Sequence, residues 1–221
     1  MFRVKICGVT RGEDAIACAA AGADAIGLNF FAGSPRYVSG DAARQVADAV
    51  PWGVAKVGVF VNTPADQICA TFDDLGLDWI QLHGDEPPEF LRDLVGRPVI
   101  RALRCGPQGL APIAEYVARS QALGCAPQTL LLDAHAAGSY GGTGQMIDWS
   151  ILKTEAWLRG IPLVLAGGLK PENVAQAIQL AQPRAVDTAS GVESSPGIKD
   201  AERVKAFVAA AREAFGEIDQ R

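Results

Sequence analysis

Histidine is scarce in this chain: His83 and His135 are the only two. A serine or cysteine hydrolase would have to draw its base from one of them, and neither lies beside a Gly-x-Ser-x-Gly elbow. There is no P-loop, no His-Glu-x-x-His helix and no clustered Cys/His set, which argues against nucleotide hydrolysis and a protein-bound catalytic metal. The five cysteines are an odd number without a Cys-x-x-Cys pair, so neither a disulfide framework nor a zinc ribbon fits. Cys18 and Cys69 lie in apolar helical surroundings and read as small core residues.

Long runs of one kind are also missing. The most membrane-like stretch, Ala15 to Ala32, is broken by Asp24, Asn29 and two glycines and reads as a buried helix and strand. The N-terminus places charges where a secretory signal needs apolar residues, so the expected location is the cytoplasm. No run of Lys or Arg forms a stripe, and the net charge is −5, so neither nucleic acid nor membrane is an expected partner.

What is present is alternation. Hydrophobic residues make up 49% of 221, enough for an enzyme-sized core. Short β-branched runs are each followed by an Ala-rich amphipathic stretch. Strands are expected at 3–6, 24–30, 54–61, 78–82, 98–103, 129–133, 162–166 and 185–188. Helices are expected at 12–21, 41–49, 64–75, 87–95, 110–123, 149–158, 171–180 and 200–215, with 216–221 a flexible tail. Eight units in one chain give about 28 residues each, close to a minimal (β/α)₈ TIM barrel, whose usual total is roughly 250. The expectation is therefore α/β, one barrel domain over residues 1–221. An open doubly wound sheet would alternate in the same way, but its Gly-x-Gly-x-x-Gly turn is missing after strand one, where the chain reads Cys7-Gly-Val-Thr-Arg-Gly12.

In a barrel the active groups stand at the C-terminal ends of the strands. Those ends carry Cys7, Asn29, Asn62, Gln81 with His83, Arg101 with Arg104, Asp133, Gly167-Gly168, and Asp187 with Ser190-Gly191. Glycines after strands seven and eight let backbone N–H groups approach an anion, so Gly167, Gly168, Ser190 and Gly191 are candidates for binding a phosphate. Gly141-Gly142-Thr-Gly144 after strand six would add another face of that cradle. Cys7 and Asp133 place a thiol and a carboxyl on different sides of the mouth, an arrangement suited to proton transfer; singly, each also fits a small core residue or a loop cap. Work near neutrality would need the thiol's pKa lowered and the carboxyl's raised. Arg36, stiffened by Gly33-Ser-Pro, could grip a carboxylate through two parallel hydrogen bonds or be a solvated loop charge. His83 either lines the pocket with Gln81 or serves its own loop.

Taken together, Val4-Lys-Ile-Cys-Gly8, Ser34-Pro-Arg-Tyr37, Val59-Phe-Val-Asn62, Gln81-Leu-His-Gly84, Leu132-Asp133 with Gly142-Thr-Gly144, Leu165-Ala-Gly-Gly168 and Val186-Asp187 with Ser190-Gly-Val-Glu193 resemble the phosphoribosylanthranilate isomerase family of tryptophan biosynthesis. The resemblance spans nearly the whole chain. It implies a (β/α)₈ barrel that uses no cofactor and performs the Amadori rearrangement of N-(5-phosphoribosyl)anthranilate. In the scheme so implied, Asp133 protonates the furanose oxygen and Cys7 then removes the proton from ribose C2′. Arg36 holds the anthranilate carboxylate, and the Gly167-Gly168 and Ser190-Gly191 backbones hold the phosphate. Gln81, His83, Gly142 and Asp187 contact the rest of the substrate. The expected partner is a phosphorylated small molecule, with the chain a monomer or weak homodimer in transient contact with other enzymes of the pathway. Two departures, Ala134-His-Ala-Ala-Gly138 after Asp133 and Glu193-Ser-Ser-Pro-Gly197 before the last helix, bear on fine substrate contacts.

Other enzymes of phosphorylated sugars use similar barrels. Indole-glycerol-phosphate synthase would call for lysine and glutamate where Cys7 and Asp133 stand, and the histidine-pathway aminoaldose isomerase for an aspartate at the position of Cys7. A phosphate-binding barrel without catalysis would have no reason to keep Cys7, Asp133 and Arg36 together.

Overall fold

The computed structural model describes residues 1–106, 108–133, 149, 152, 155 and 160–220. Eight parallel strands close into a barrel in chain order: β1 Val4–Cys7, β2 Ala25–Asn29, β3 Ala55–Phe60, β4 Trp79–Leu82, β5 Val99–Arg104, β6 Thr129–Asp133, β7 Leu163–Ala166 and β8 Ala185–Thr188. The ring is sealed by β1 against β8, with Lys5 opposite Asp187. Closure rules out the open sheet, and each strand lies within about a residue of its expected place.

Strand side chains alternate between two cores. One parity faces outward: Val4, Ile6, Ile26, Leu28, Ile80, Leu82, Leu130, Leu132 and Val186 pack under the helices. The other fills the barrel with Ala25, Val57, Ile100, Ala102, Leu131, Val164 and Ala185, and Phe2 stands edge-on to Trp79 at the N-terminal end. Carried one layer further, the inward parity sets Cys7, Asn29, Gln81, Arg104, Asp133 and Asp187 at the C-terminal end. The interior thus changes from apolar to polar along its axis, and the polar layer is the mouth.

The outer ring holds α1 Gly12–Ala20, α2 Gly40–Ala49, α3 Ala65–Leu75, α4 Ala111–Ala122, α5 Val174–Ala181 and α6 Ala201–Asp219. Asp200 caps α6 by accepting from the backbone N–H groups of Glu202 and Arg203. That helix runs four residues beyond Phe215, into the segment expected as a tail, where Asp219 pairs with Arg3 at 2.9 Å. The fourth crossover is a 3₁₀ helix, Pro88–Leu94, not the expected α-helix. Over seven residues the 3₁₀ rise of about 2.0 Å per residue gives about 14 Å, enough to return along a four-residue strand of about 13 Å, where an α-helix of the same length gives about 10 Å. A short antiparallel ribbon, β9 Glu193–Ser195 with β10 Ile198–Lys199, follows β8 and was not expected. The helix expected at 149–158 falls largely outside the described residues. Among the described residues, no helix is long and apolar enough to cross a membrane.

Candidate active site

β1 contributes two inward groups to the mouth, and β8 supplies their partner. Lys5 is fully buried and its Nζ donates to Asp187 Oδ1 at 2.9 Å. Beside them is Cys7, which interacts electrostatically with the same ammonium. Burial pushes the Cys7 thiol up from its ordinary value, and Lys5 only partly opposes this. The direction is thus opposite to the lowering that work near neutrality calls for. For Lys5 burial pulls down, but Asp187 and Cys7 outweigh it and the ammonium is held charged. Gly27 on the neighbouring strand leaves room for both heads, since a Cβ there would lie 2.8 Å from Cys7 Sγ and 3.2 Å from Lys5 Nζ.

Arg36 comes from the loop after β2. Asn29 Nδ2 donates to Ser34 Oγ at 3.3 Å, and that hydroxyl oxygen accepts from the backbone N–H of Arg36 at 3.1 Å. The aliphatic stem of Arg36 lies on Gly8, so the guanidinium reaches back toward the end of β1. It is not a solvated charge. Its Nε and Nη2 donate to Glu193 Oε1 and Oε2 at 2.8 and 2.7 Å, and Lys199 Nζ adds 2.8 Å to Oε1. Burial raises the Glu193 pKa, but Arg36 and Lys199 outweigh it, so the carboxyl titrates below its ordinary value. Glu193 takes the Nε/Nη2 edge, so among the described residues the Nη1/Nη2 edge of Arg36 is open to another acceptor.

On the far side, three strands from β1, Asp133 ends β6. His83 Nε2 stands 3.6 Å from Asp133 Oδ2, and its Nδ1 is 3.2 Å from Gln81 Nε2. With the amide donating, Nδ1 accepts and the proton of a neutral ring sits on Nε2, facing the carboxylate. Gln81, His83 and Asp133 are thus one group. Arg104 Nη2 donates to the carbonyl of His83 at 2.8 Å and ties the end of β5 to this side of the mouth.

The last two turns interlock. Thr188 Oγ1 donates to the carbonyl of Leu169 at 2.7 Å, and a Cβ on Gly191 would fall 2.0 Å from that same oxygen. Gly191 has to be glycine for the turn carrying Gly167 and Gly168 to meet the turn carrying Ser190. Gly142, with Gly141, Gly144 and His135, lies outside the described residues.

Not every strand-end residue expected at the mouth is there. Arg101 has the outward parity: its guanidinium is buried against Glu86 at 2.9 Å, donates to the carbonyls of Leu82 and Gly84, and lies over the Tyr116 ring. Asn62 also turns away, its Oδ1 accepting from the backbone of Asp85. Conversely, Glu193 and Lys5 were not singled out from the sequence. Lys5 has a readable signal, a charge at the inward parity of the apolar strand Val-Lys-Ile-Cys, matched by Asp187 in Ala-Val-Asp-Thr. Glu193 is 157 positions from Arg36, and only barrel closure brings them together.

Comparison with known proteins places this arrangement. The family model described as N-(5'phosphoribosyl)anthranilate (PRA) isomerase matches residues 4–210. The chain is 49% identical over 211 residues to N-(5'-phosphoribosyl)anthranilate isomerase of Myxococcus xanthus, covering 95% of this chain and 96% of the relative. It is similar to the crystal structure of phosphoribosyl anthranilate isomerase from Thermotoga maritima, with a TM-score of 0.83, 39% identity, and 96% and 100% of the two chains covered. A further phosphoribosyl anthranilate isomerase structure, in complex with reduced 1-(o-carboxyphenylamino)-1-deoxyribulose 5-phosphate, gives a TM-score of 0.80 at 38% identity, again covering 96% of this chain and all of the other. This closed barrel, with Cys7 and Asp133 at the same end and matched by these relatives along almost its whole length, belongs to the N-(5'-phosphoribosyl)anthranilate isomerase family.

Proposed function

We propose that this protein catalyses the Amadori rearrangement of N-(5-phosphoribosyl)anthranilate to 1-(2-carboxyphenylamino)-1-deoxyribulose 5-phosphate in tryptophan biosynthesis, with Asp133 as general acid and Cys7 as general base. Asp133 protonates the furanose oxygen, the C1′–O bond breaks, and the anthranilate nitrogen donates its lone pair to form the C1′ iminium. Cys7 takes the proton from C2′, and the C–H electron pair becomes a C1′–C2′ double bond while the nitrogen recovers its pair. The enol then tautomerises to the ketone. The iminium both acidifies C2′–H and favours the thiolate beside it, so the scheme calls on no metal or cofactor.

Arg36 holds the anthranilate carboxylate through the Nη1/Nη2 edge that Glu193 leaves open. The backbones of Gly167, Gly168, Ser190 and Gly191 hold the phosphate, and Gly142 contributes to substrate binding. Asp187, with Oδ1 given to Lys5, offers Oδ2 to a ribose hydroxyl or the substrate nitrogen. Gln81 and His83 line the Asp133 side. The chain works as a monomer or weak homodimer in the cytoplasm, in transient contact with enzymes of the same pathway, an assembly that sedimentation at working concentration checks.

The observation that carries the reading is the shared barrel end: Cys7 and Asp133 have inward parity on β1 and β6, with the Arg36 guanidinium fixed beside Cys7. The test is fluorimetric. The aminoaldose formed in situ from anthranilate and ribose 5-phosphate should lose its fluorescence faster with enzyme than without. No acceleration, with turnover of the histidine-pathway aminoaldose or the indole-glycerol-phosphate synthase substrate run in parallel, would reassign the activity.

A further inference from the structure

Lys5 is a cation sealed inside the barrel that the reaction scheme leaves unused. Such a charge is costly unless it is paired. Its Nζ donates to Asp187 Oδ1 at 2.9 Å and also acts electrostatically on Cys7. Sγ and Nζ both approach the point where a Gly27 Cβ would stand, so the two heads are at most about 6 Å apart, inside the range over which an opposite charge governs ionisation. Among the described residues, the other charged groups acting on Cys7 are Asp187 from β8, Lys199 from β10 and Arg36 from the loop after β2. Those two cations share one carboxylate, Glu193, which draws both toward itself. Of these cations Lys5 acts on Cys7 most strongly, and among the described residues its own carboxylate partner is Asp187.

We propose that Lys5 is the positioning residue of the base: its buried ammonium, divided between Asp187 and Cys7, is the counter-ion of the Cys7 thiolate. The role in turnover rests on the function proposed above. When C2′–H gives its proton to Sγ, the thiolate becomes a thiol and the iminium becomes a neutral enamine, while Lys5 and Asp187 keep their charges. The pair thus holds the interior near neutrality before and after the transfer, and neither partner gains or loses a proton.

The test reads the thiol directly. Iodoacetamide labelling of the Cys7 peptide in the full-length protein, followed by mass spectrometry across a pH series, separates it from the other four cysteines. Lys5→Met should slow Cys7 alkylation at neutral pH about tenfold and move its titration upward, and Asp187→Asn, which leaves Lys5 wholly to Cys7, should speed it and move the titration downward. Folded variants that shift Cys7 in the same direction, or not at all, would overturn the proposal. If Lys5→Met does not fold, Asp187→Asn decides alone, with unchanged or slower alkylation counting against. Turnover surviving in Cys7→Ala would instead remove Cys7 from the mechanism and leave the thiol result standing, so the two failures are told apart.

Discussion

Replacing Glu193 by alanine strips the anchor from Arg36 and leaves Lys199 buried without its carboxylate. The Glu193 and Lys199 side chains are 5% and 1% exposed, so this is a buried pair. Breaking such a pair by removing one partner costs about 3–5 kcal/mol. Lys199 still donates to the carbonyl of Ala189 at 3.2 Å, which points to the lower end. For a chain of this size about 3 kcal/mol is a fall in Tm of roughly 6–12 °C. The functional cost differs in kind. A freed Arg36 must be ordered at each binding event, at about 0.5–1.5 kcal/mol for a long side chain, so KM should rise roughly two- to tenfold with kcat little changed. Glu193→Gln keeps the shape and should fall between. Because the folded-state pKa of Glu193 is depressed, its share of stability is complete above the ordinary glutamate value of 4.5 and lost as pH falls through the lower, folded value. The variants should therefore show a flatter fall of Tm with acid. Circular-dichroism melts over pH and Michaelis kinetics check both parts. A Tm within about 2 °C of wild type together with an unchanged KM would refute the claim that Glu193 holds Arg36 in place.

Other outcomes follow from the same geometry. Arg36→Ala should raise KM for the anthranilate-bearing substrate far more than it lowers kcat, and steady-state kinetics with an unchanged KM would take Arg36 off the carboxylate. Gly191→Ala forces a Cβ toward the Leu169 carbonyl and should cost about 1–3 kcal/mol of stability while weakening competitive inhibition by inorganic phosphate. A variant with wild-type Tm and phosphate inhibition would separate that turn from the anion. Gly27→Ala should lower kcat at least tenfold by displacing Sγ and Nζ, as misplacement by a fraction of an ångström does at a reacting group. Normal turnover in it would mean that the thiol need not sit where it does.

The barrel was legible because parallel strands buried on both faces leave apolar runs, such as Ala-Lys-Val-Gly-Val-Phe in β3, that turn residues cut to length. The fourth crossover was misread because an apolar face such as Leu91 and Leu94 gives no sign of whether the coil closes on its third or fourth neighbour. The ribbon β9–β10 is too short and Ser-rich to carry a strand pattern. At the mouth, Cys7, Arg36, His83, Asp133 and Asp187 could be picked out by chemistry and position. Their partners could not, since Lys5 meets Asp187 and Arg36 meets Glu193 only when β8 closes on β1. Arg101 shows the converse: its place at a strand end was read correctly, and its parity turns it outward to Glu86. The raised Cys7 thiol belongs to the interior as a whole and has no local signature.

The account stands on Cys7 and Asp133 moving protons to and from one substrate, and single-residue kinetics reach that claim most directly. In the fluorescence assay at saturating aminoaldose, Cys7→Ala and Asp133→Asn should each lower kcat by at least about 10²-fold, with melting curves and binding of the reduced product analogue unchanged. Near-normal turnover in either variant would contradict it.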